Sequence, residues 1–250
     1  MLEGKAVAIT GASSGIGEAT ALAFAAQGAS VALAARRGDR IEALAARIED
    51  EGGRAIALPT DVGDERQARA FVEHAYEQLG RLDVLVNNAG VMLLGPVEGA
   101  DTEQWRRMVN ANVFGVLYCT HAALPVMRNN SHPPGGHVIN VSSVAGRRAG
   151  MGAAVYNLTK FGVNGFSEAL RQEALHMGVR VTLVEPGFVE TELQGHNESD
   201  ETVMAAVAKA RERIGQVLRP EDIAEAIVHA AGQPEHVNVA EVLVLPTRER

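Results

Sequence analysis

The chain predicts a doubly wound α/β fold, a parallel sheet of about seven strands with helices on both faces. Two observations carry that reading. Runs rich in Val, Ile, Leu and Ala recur at 5–10, 30–35, 54–59, 82–87, 136–142, 179–185 and 241–245. They are apolar almost throughout, as strands buried on both faces are, and do not alternate. Longer amphipathic segments separate them, and unbroken strand–helix alternation favours parallel pairing through right-handed crossovers.

The elements follow in order. After the first strand, Ile16, Ala19, Thr20, Ala23 and Phe24 share one helical face, which stops at Gly28. Ile41, Leu44, Ala45 and Ile48 share the next and stop at Gly52. Asp64 is placed to N-cap a third helix that buries Phe71, Val72, Ala75 and Leu79, because its carboxylate can accept from an unpaired first-turn N–H. The long segments 101–130 and 153–178 follow the fourth and fifth strands. "NNSHPPGGH" over 129–137 reads as a surface turn before the fifth strand. The clearest break is 191–216, polar and then helical, directly after the sixth strand. Ligands of doubly wound folds sit beyond the carboxyl ends of the strands, so this segment is placed either to cover a substrate or to stand as a solvated excursion.

Composition narrows the class. The 250 residues fit one large α/β domain, spanning 1–250, with no linker or repeat. Apolar residues at 46% and charged residues at 22% describe an ordinary globular protein. A net charge of −8 argues against a nucleic-acid surface. One cysteine, Cys119, excludes an internal disulfide and reads as a small core residue. No apolar run reaches membrane-spanning length and the first strand begins almost at once, so neither a membrane nor an export signal is expected and the cytoplasm is the expected compartment. The eight histidines are scattered without metal-ligand spacing, so no metal is expected.

The chemistry begins at "TGASSGIG", residues 10–17. A strand, a Gly-rich turn and a helix form a phosphate seat, because the helix start leaves N–H groups unpaired and carries partial positive charge. The glycines are spaced GxxxGxG. Gly11 permits the turn, Gly15 lets a pyrophosphate approach the backbone and Gly17 brings helix and strand close. Further along, Tyr156 and Lys160 stand four residues apart, on one helical face, and Ser143 stands thirteen before the tyrosine.

Together with "NNAG" at 87–90, Asn112 in "NANVFG" and "PGFVET" at 186–191, these motifs resemble the short-chain dehydrogenase/reductase family. The resemblance spans nearly the whole chain and keeps the family's motif order. It implies a Rossmann-like fold, usually assembled as a homotetramer (or homodimer) through the fourth and fifth helices and the last strand. It implies hydride exchange between a nicotinamide dinucleotide and a small-molecule carbonyl or alcohol. Within the family, "VMLLGPVEGADTEQW", "TKFGVNGFSEALRQE" and "VEPGFVETEL" look most like reductases of the clavulanate-aldehyde dehydrogenase and 3-hydroxy-acid dehydrogenase types.

The residue roles follow from chemistry and resemblance together. Tyr156 is the expected proton donor in reduction; forming tyrosinate at pH 7 costs about 4 kcal/mol, which a nearby ammonium and a positive nicotinamide ring lower. Ser143 orients the substrate oxygen as a hydrogen-bond donor. By resemblance, Lys160 also holds the nicotinamide ribose, and Asn112 anchors a water that connects Lys160 to solvent. Resemblance also assigns cofactor contacts to Ser13, Ser14 and Ile16, to Asp61 and Val62, to Asn88, Ala89 and Gly90, and to Pro186, Gly187, Val189 and Thr191. The end of the second strand favours NADP(H) over NAD(H). Ala35 stands where NAD enzymes place a carboxylate for the ribose 2′-OH, and Arg36 and Arg37 follow with guanidinium groups suited to a 2′-phosphate. Met92, Leu93, Leu94, Val144, Met151 and Phe188 are candidates for an apolar wall, and Arg147 and Arg148 for receiving a substrate carboxylate. Two other functions fit less well: a 3-oxoacyl-thioester reductase, which calls for a basic docking surface, and an NADP-binding sensor without turnover.

Overall fold

A computed structural model of the chain describes residues 2–130, 135–197 and 200–249. The elements run β1 (Ala6–Thr10), α1 (Gly15–Ala25), β2 (Ser30–Ala35), α2 (Gly38–Asp50), β3 (Arg54–Pro59), α3 (Glu65–Leu79) and β4 (Val84–Asn87). They continue as α4 (Thr102–Val109), α5 (Gly115–Arg128), β5 (Gly136–Val141), α6 (Ala154–Glu173) and β6 (Val179–Pro186). The chain then forms α7 (Glu201–Ile214), α8 (Pro220–Ala231) and β7 (Glu241–Val244). Each of the seven expected strand segments is a strand, with ends moved by at most two residues. The turn expected over 129–137 lies in part outside the described residues, at 131–134.

The seven strands make one sheet in the order β3-β2-β1-β4-β5-β6-β7, and every pairing is parallel. Strand order reverses direction between β1 and β4, which opens a crevice at their carboxyl ends, the usual ligand position in such folds. Strand pleating sorts the core. Val7 and Ile9 of β1 face α1, α2 and α8 with Phe24, Ile41 and Ile223. Ala8 between them faces the other layer, with Phe71, Leu85 and Met127. Asp64 caps α3 as expected, accepting from Gln67 N–H at 3.0 Å.

Two local features departed from simple periodicity. The helical stretch after β4 is not continuous: residues Asn110–Phe114 form a π-helical turn between α4 and α5. Such turns insert a residue into the helix and are frequent at functional sites. In addition, Leu82 and Asp83 precede β4 rather than opening it. Asp83 is nearly buried and accepts from Ala6 N–H at 2.9 Å and Lys5 Nζ at 3.0 Å. Burial pushes its carboxyl up, but the bonds from Arg81, Ala6 and Lys5 together hold it below the ordinary range.

Candidate active site

A cavity of about 1200 Å³ opens at the carboxyl ends of the strands. One side is the Gly-rich turn. Gly11 and Gly15 both hold positive φ, +67° and +57°. Gly17 has an ordinary φ but no room: a Cβ there would strike the Gly11 carbonyl and stand 2.6 Å from Asn88 Nδ2. The turn is locked from β4, because Asn88 N–H and Ala89 N–H both donate to Thr10 Oγ1 at 3.0 Å. Asn88 Nδ2 donates to the Thr10 and Gly11 carbonyls. Gly90 then passes close to Asn112, whose Oδ1 lies 3.1 Å from where its Cβ would be.

Residues Ser13, Ser14, Gly15 and Ile16 line the cavity where α1 begins. Ser14 stands at the N-cap position without making a side-chain cap, and its hydroxyl instead accepts from Arg37 Nη2 at 2.8 Å. The first-turn N–H groups of α1 therefore keep their capacity for an anion. A glycine cradle with no room for a side chain and an uncapped helix start fit a dinucleotide pyrophosphate.

Arg36 and Arg37 both line the cavity, but Arg37 carries the contacts. Its Nε and Nη2 reach Ser13 Oγ at 3.2 and 2.9 Å, and its Nη1 pairs with Glu192 at 2.7 Å. Asp61 and Val62 line the wall beyond β3; Asp61 Oδ1 accepts from Gly63 N–H at 2.9 Å, which fixes that turn. Pro186, Gly187, Val189 and Thr191 line the wall beyond β6. There Val189 bridges to Leu218, and the Thr191 methyl faces Gly15 across the cavity, 3.0 Å from its Cβ position.

Ser143, Tyr156 and Lys160 meet in the same cavity. Ser143 follows β5, and α6 carries the other two one turn apart. Tyr156 and Lys160 are each only 6% exposed, and Lys160 Nζ lies 5.9 Å from the Tyr156 ring centre. Lys160 Nζ donates to the Val141 carbonyl at 3.0 Å. Burial pushes the Tyr156 phenol up to about 12, against a lowering hydrogen bond with Ser143, and pushes Lys160 down to about 8. The expected lowering of the phenol by its lysine is thus not what the protein alone gives. Removal from water is the largest cause at both groups, and the phenol keeps its proton, the state a donor needs.

Asn112 sits in the π-helical turn and is buried. Its Oδ1 accepts from Val91 N–H at 2.8 Å, and its Nδ2 donates to the Val91 carbonyl and Thr159 Oγ1 at 2.9 and 3.1 Å. The side chain thus ties the segment after β4 to α6, beside Tyr156 and Lys160.

Two expectations are corrected. Arg147 does not face the cavity: its Nε donates to Glu185 at 2.6 Å, and it also pairs with Glu241. Glu185 is fully buried, and an uncompensated carboxylate there is costly enough to fix the arginine. Arg148 also lies outside the lining, exposed. Leu93 turns away as well and packs with Val91, Met108 and Tyr156. Met92, Leu94, Val144, Met151 and Phe188 do line the cavity, Met151 as a wholly exposed rim residue.

The fold brings further residues to the site that no local motif marks. Arg40 and Glu192 pair at the cavity mouth at 2.7 Å. Asn157 Nδ2 holds the Ala145 and Arg148 carbonyls at 2.7 and 3.0 Å, shaping the turn after Ser143. Asn164 links Ser142 at 2.6 Å to Glu185 at 2.7 Å. The one visible signal was Glu185 itself, an acid inside an apolar strand. From α7, Val203, Ala206, Val207 and Ala210 face the cavity on one helical stripe. Asn197 fastens the 3₁₀ turn Glu192–Asn197 to the opposite wall, accepting from Leu94 N–H at 2.8 Å and donating to the Met92 carbonyl at 3.0 Å.

Over 99% of its length the chain is 41% identical to the glycine betaine reductase ATRR of Emericella nidulans, of which it spans 19%. It is 37% identical to an uncharacterized oxidoreductase of Staphylococcus saprophyticus, over 98% of each chain. The closed form of a serine dehydrogenase complexed with NADP+ superposes with a TM-score of 0.88 at 32% identity, covering 98% of this chain and 96% of that one. Residues 5–202 match the family model for short chain dehydrogenases, and the chain belongs to the short-chain dehydrogenase/reductase family of oxidoreductases.

Proposed function

We propose that this protein is an NADPH-dependent carbonyl reductase, run in reverse as an alcohol dehydrogenase. The observation that carries the reading is the meeting of the Gly11–Gly15 turn, Arg37, and the Ser143–Tyr156–Lys160 set in one cavity. A bound nicotinamide dinucleotide supplies or takes back the hydride. Gly11, Gly15 and the start of α1 hold its pyrophosphate, and Arg37 with Ser13 meets a 2′-phosphate. The serine dehydrogenase relative, complexed with NADP+, supports a nicotinamide cofactor here.

The chain's own residues do the proton work. Ser143 donates to the substrate oxygen and orients it over Tyr156. The Tyr156 phenol gives that oxygen its proton as the carbonyl becomes an alkoxide, and takes it back in oxidation. Lys160, held in place by the Val141 carbonyl, stabilises the tyrosinate left behind and holds the nicotinamide ribose. Asn112 keeps α6 registered against the segment after β4, and by family analogy it anchors the water that returns a proton to Lys160. Residues 191–197 and 200–216 cover the substrate, with α7 supplying an apolar wall; 198 and 199 lie outside the described residues.

The substrate body is apolar. Arg147 is taken by Glu185 and Glu241, so a substrate carboxylate loses its expected partner. A 3-oxoacyl thioester is the second reading, because the Val203–Ala206–Val207–Ala210 stripe suits an acyl chain. The protein acts as a homotetramer or homodimer, for which Leu158 and Phe161 on α6 and Phe114 beside α5 offer exposed apolar surface. A panel of aldehydes, ketones, 3-oxo acids and 3-oxoacyl thioesters, followed by NADPH absorbance, tests the reading. Turnover of uncharged aldehydes or ketones above the 3-oxo acids is expected, and activity confined to the acids contradicts it.

A further inference from the structure

We propose that Glu192 is a built-in competitor for the guanidinium groups at the cavity mouth, and so sets how strongly this chain prefers a 2′-phosphorylated dinucleotide. The inference rests on the cofactor reading above. Glu192 opens the 3₁₀ turn that follows β6, while Arg37 and Arg40 stand at the start of α2. The fold brings them together across 155 and 152 residues of sequence. Each carboxylate oxygen takes one guanidinium: Oε2 meets Arg37 Nη1 and Oε1 meets Arg40 Nη1, both at 2.7 Å. The remaining donors of Arg37 go to Ser13 and Ser14.

This cluster is poorly explained as a stabiliser of the fold. The three side chains are 42%, 46% and 51% exposed, and ion pairs in such surroundings contribute little. What they share is position: all three line the cavity, beside the Gly-rich turn. The hydrogen bonds from Arg40 and Arg37 hold the Glu192 carboxyl down to about 2, so it stays charged throughout the working range. Ala35 lacks the acid that would discriminate against a 2′-phosphate from the end of β2. Glu192 supplies an acid in space, from the opposite wall. A phosphate arriving at Arg37 must displace or share that carboxylate, whereas a ribose hydroxyl meets no such competition.

The test is direct titration of NADPH and NADH into the full-length protein and its Glu192→Gln variant, read by nicotinamide fluorescence. Melting temperatures establish that both are folded. The variant keeps the side-chain shape and removes the charge. Its NADPH Kd is expected to fall about fivefold, the scale of one unit-charge contact in a water-like dielectric. The gain should shrink as salt is raised, and the NADH Kd should move much less. An NADPH Kd unchanged or raised in the variant overturns the proposal. The arms separate the two ideas. A wild type that prefers NADPH, with a variant that matches it, removes only Glu192's role. A wild type with no NADPH preference contradicts the cofactor reading, and a variant that then gains one still supports the competitor.

Discussion

Lys160 shows how a single residue's surroundings decide what it can do. Among the described residues it pairs with no carboxylate; a carbonyl at 3.0 Å and burial set its properties. Burial penalises the ammonium and lowers it to about 8, while Tyr156 goes up to about 12. In the proposed mechanism Lys160 must be charged to steady a tyrosinate, so kcat/KM for NADPH should fall as pH rises through about 8. That ratio reports the free protein's titrating groups, and Tyr156, held far higher, cannot produce the limb. Lys160→Arg, which keeps its charge, should move the limb upward even at reduced turnover. A profile level to roughly pH 10, the ordinary lysine range, contradicts the assignment.

Among the elements, β5 and β6 carry a second titration, remote from the chemistry. His137 on β5 is buried, with Nε2 at 2.7 Å from Thr182 Oγ1 on β6. The Thr182 hydroxyl spends its proton on the Val239 carbonyl, so Nε2 carries the hydrogen and the ring is neutral; Nδ1 has no partner among the described residues. Burial, with Arg180 nearby, lowers the folded pKa from 6.5 to about 3. The unfolded chain therefore takes up a proton that the folded chain refuses, and stability falls as pH drops from 6.5 toward 3. Melting curves of His137→Leu should lose less stability over that window than the wild type. Equal losses contradict this explanation. The strand run containing His137 was readable from its Val and Ile neighbours, but nothing local marks the histidine as neutral. Likewise the residues 102–128 are periodic enough to show a helix, yet the π-helical turn around Asn112 depends on Val91 and Thr159, which sequence does not bring near. Arg147 beside a Gly–Arg–Arg turn looked open to a ligand; only β6 and β7 in place reveal Glu185 and Glu241.

At the scale of the whole molecule, strand order does the assembling. With β1 and β4 central, the segments after all seven strands reach one cavity, and Ser143, Tyr156 and Lys160 meet the Gly11–Gly15 turn there. Those residues were legible because each motif is local: Lys160 stands four positions after Tyr156, and Gly17 six after Gly11. The mouth was not, because Arg40 with Glu192, and Leu94 with Asn197, are joined only by the fold. In the proposed reaction Tyr156 supplies the proton within a nicotinamide-dependent site. The measurement that tests it most directly is Tyr156→Phe, assayed for carbonyl reduction and for NADPH binding on the same preparation. Loss of a general acid costs about 10² to 10⁴ in rate, so turnover should fall at least that far while the NADPH Kd stays within about twofold. Substantial turnover in the variant contradicts the claim.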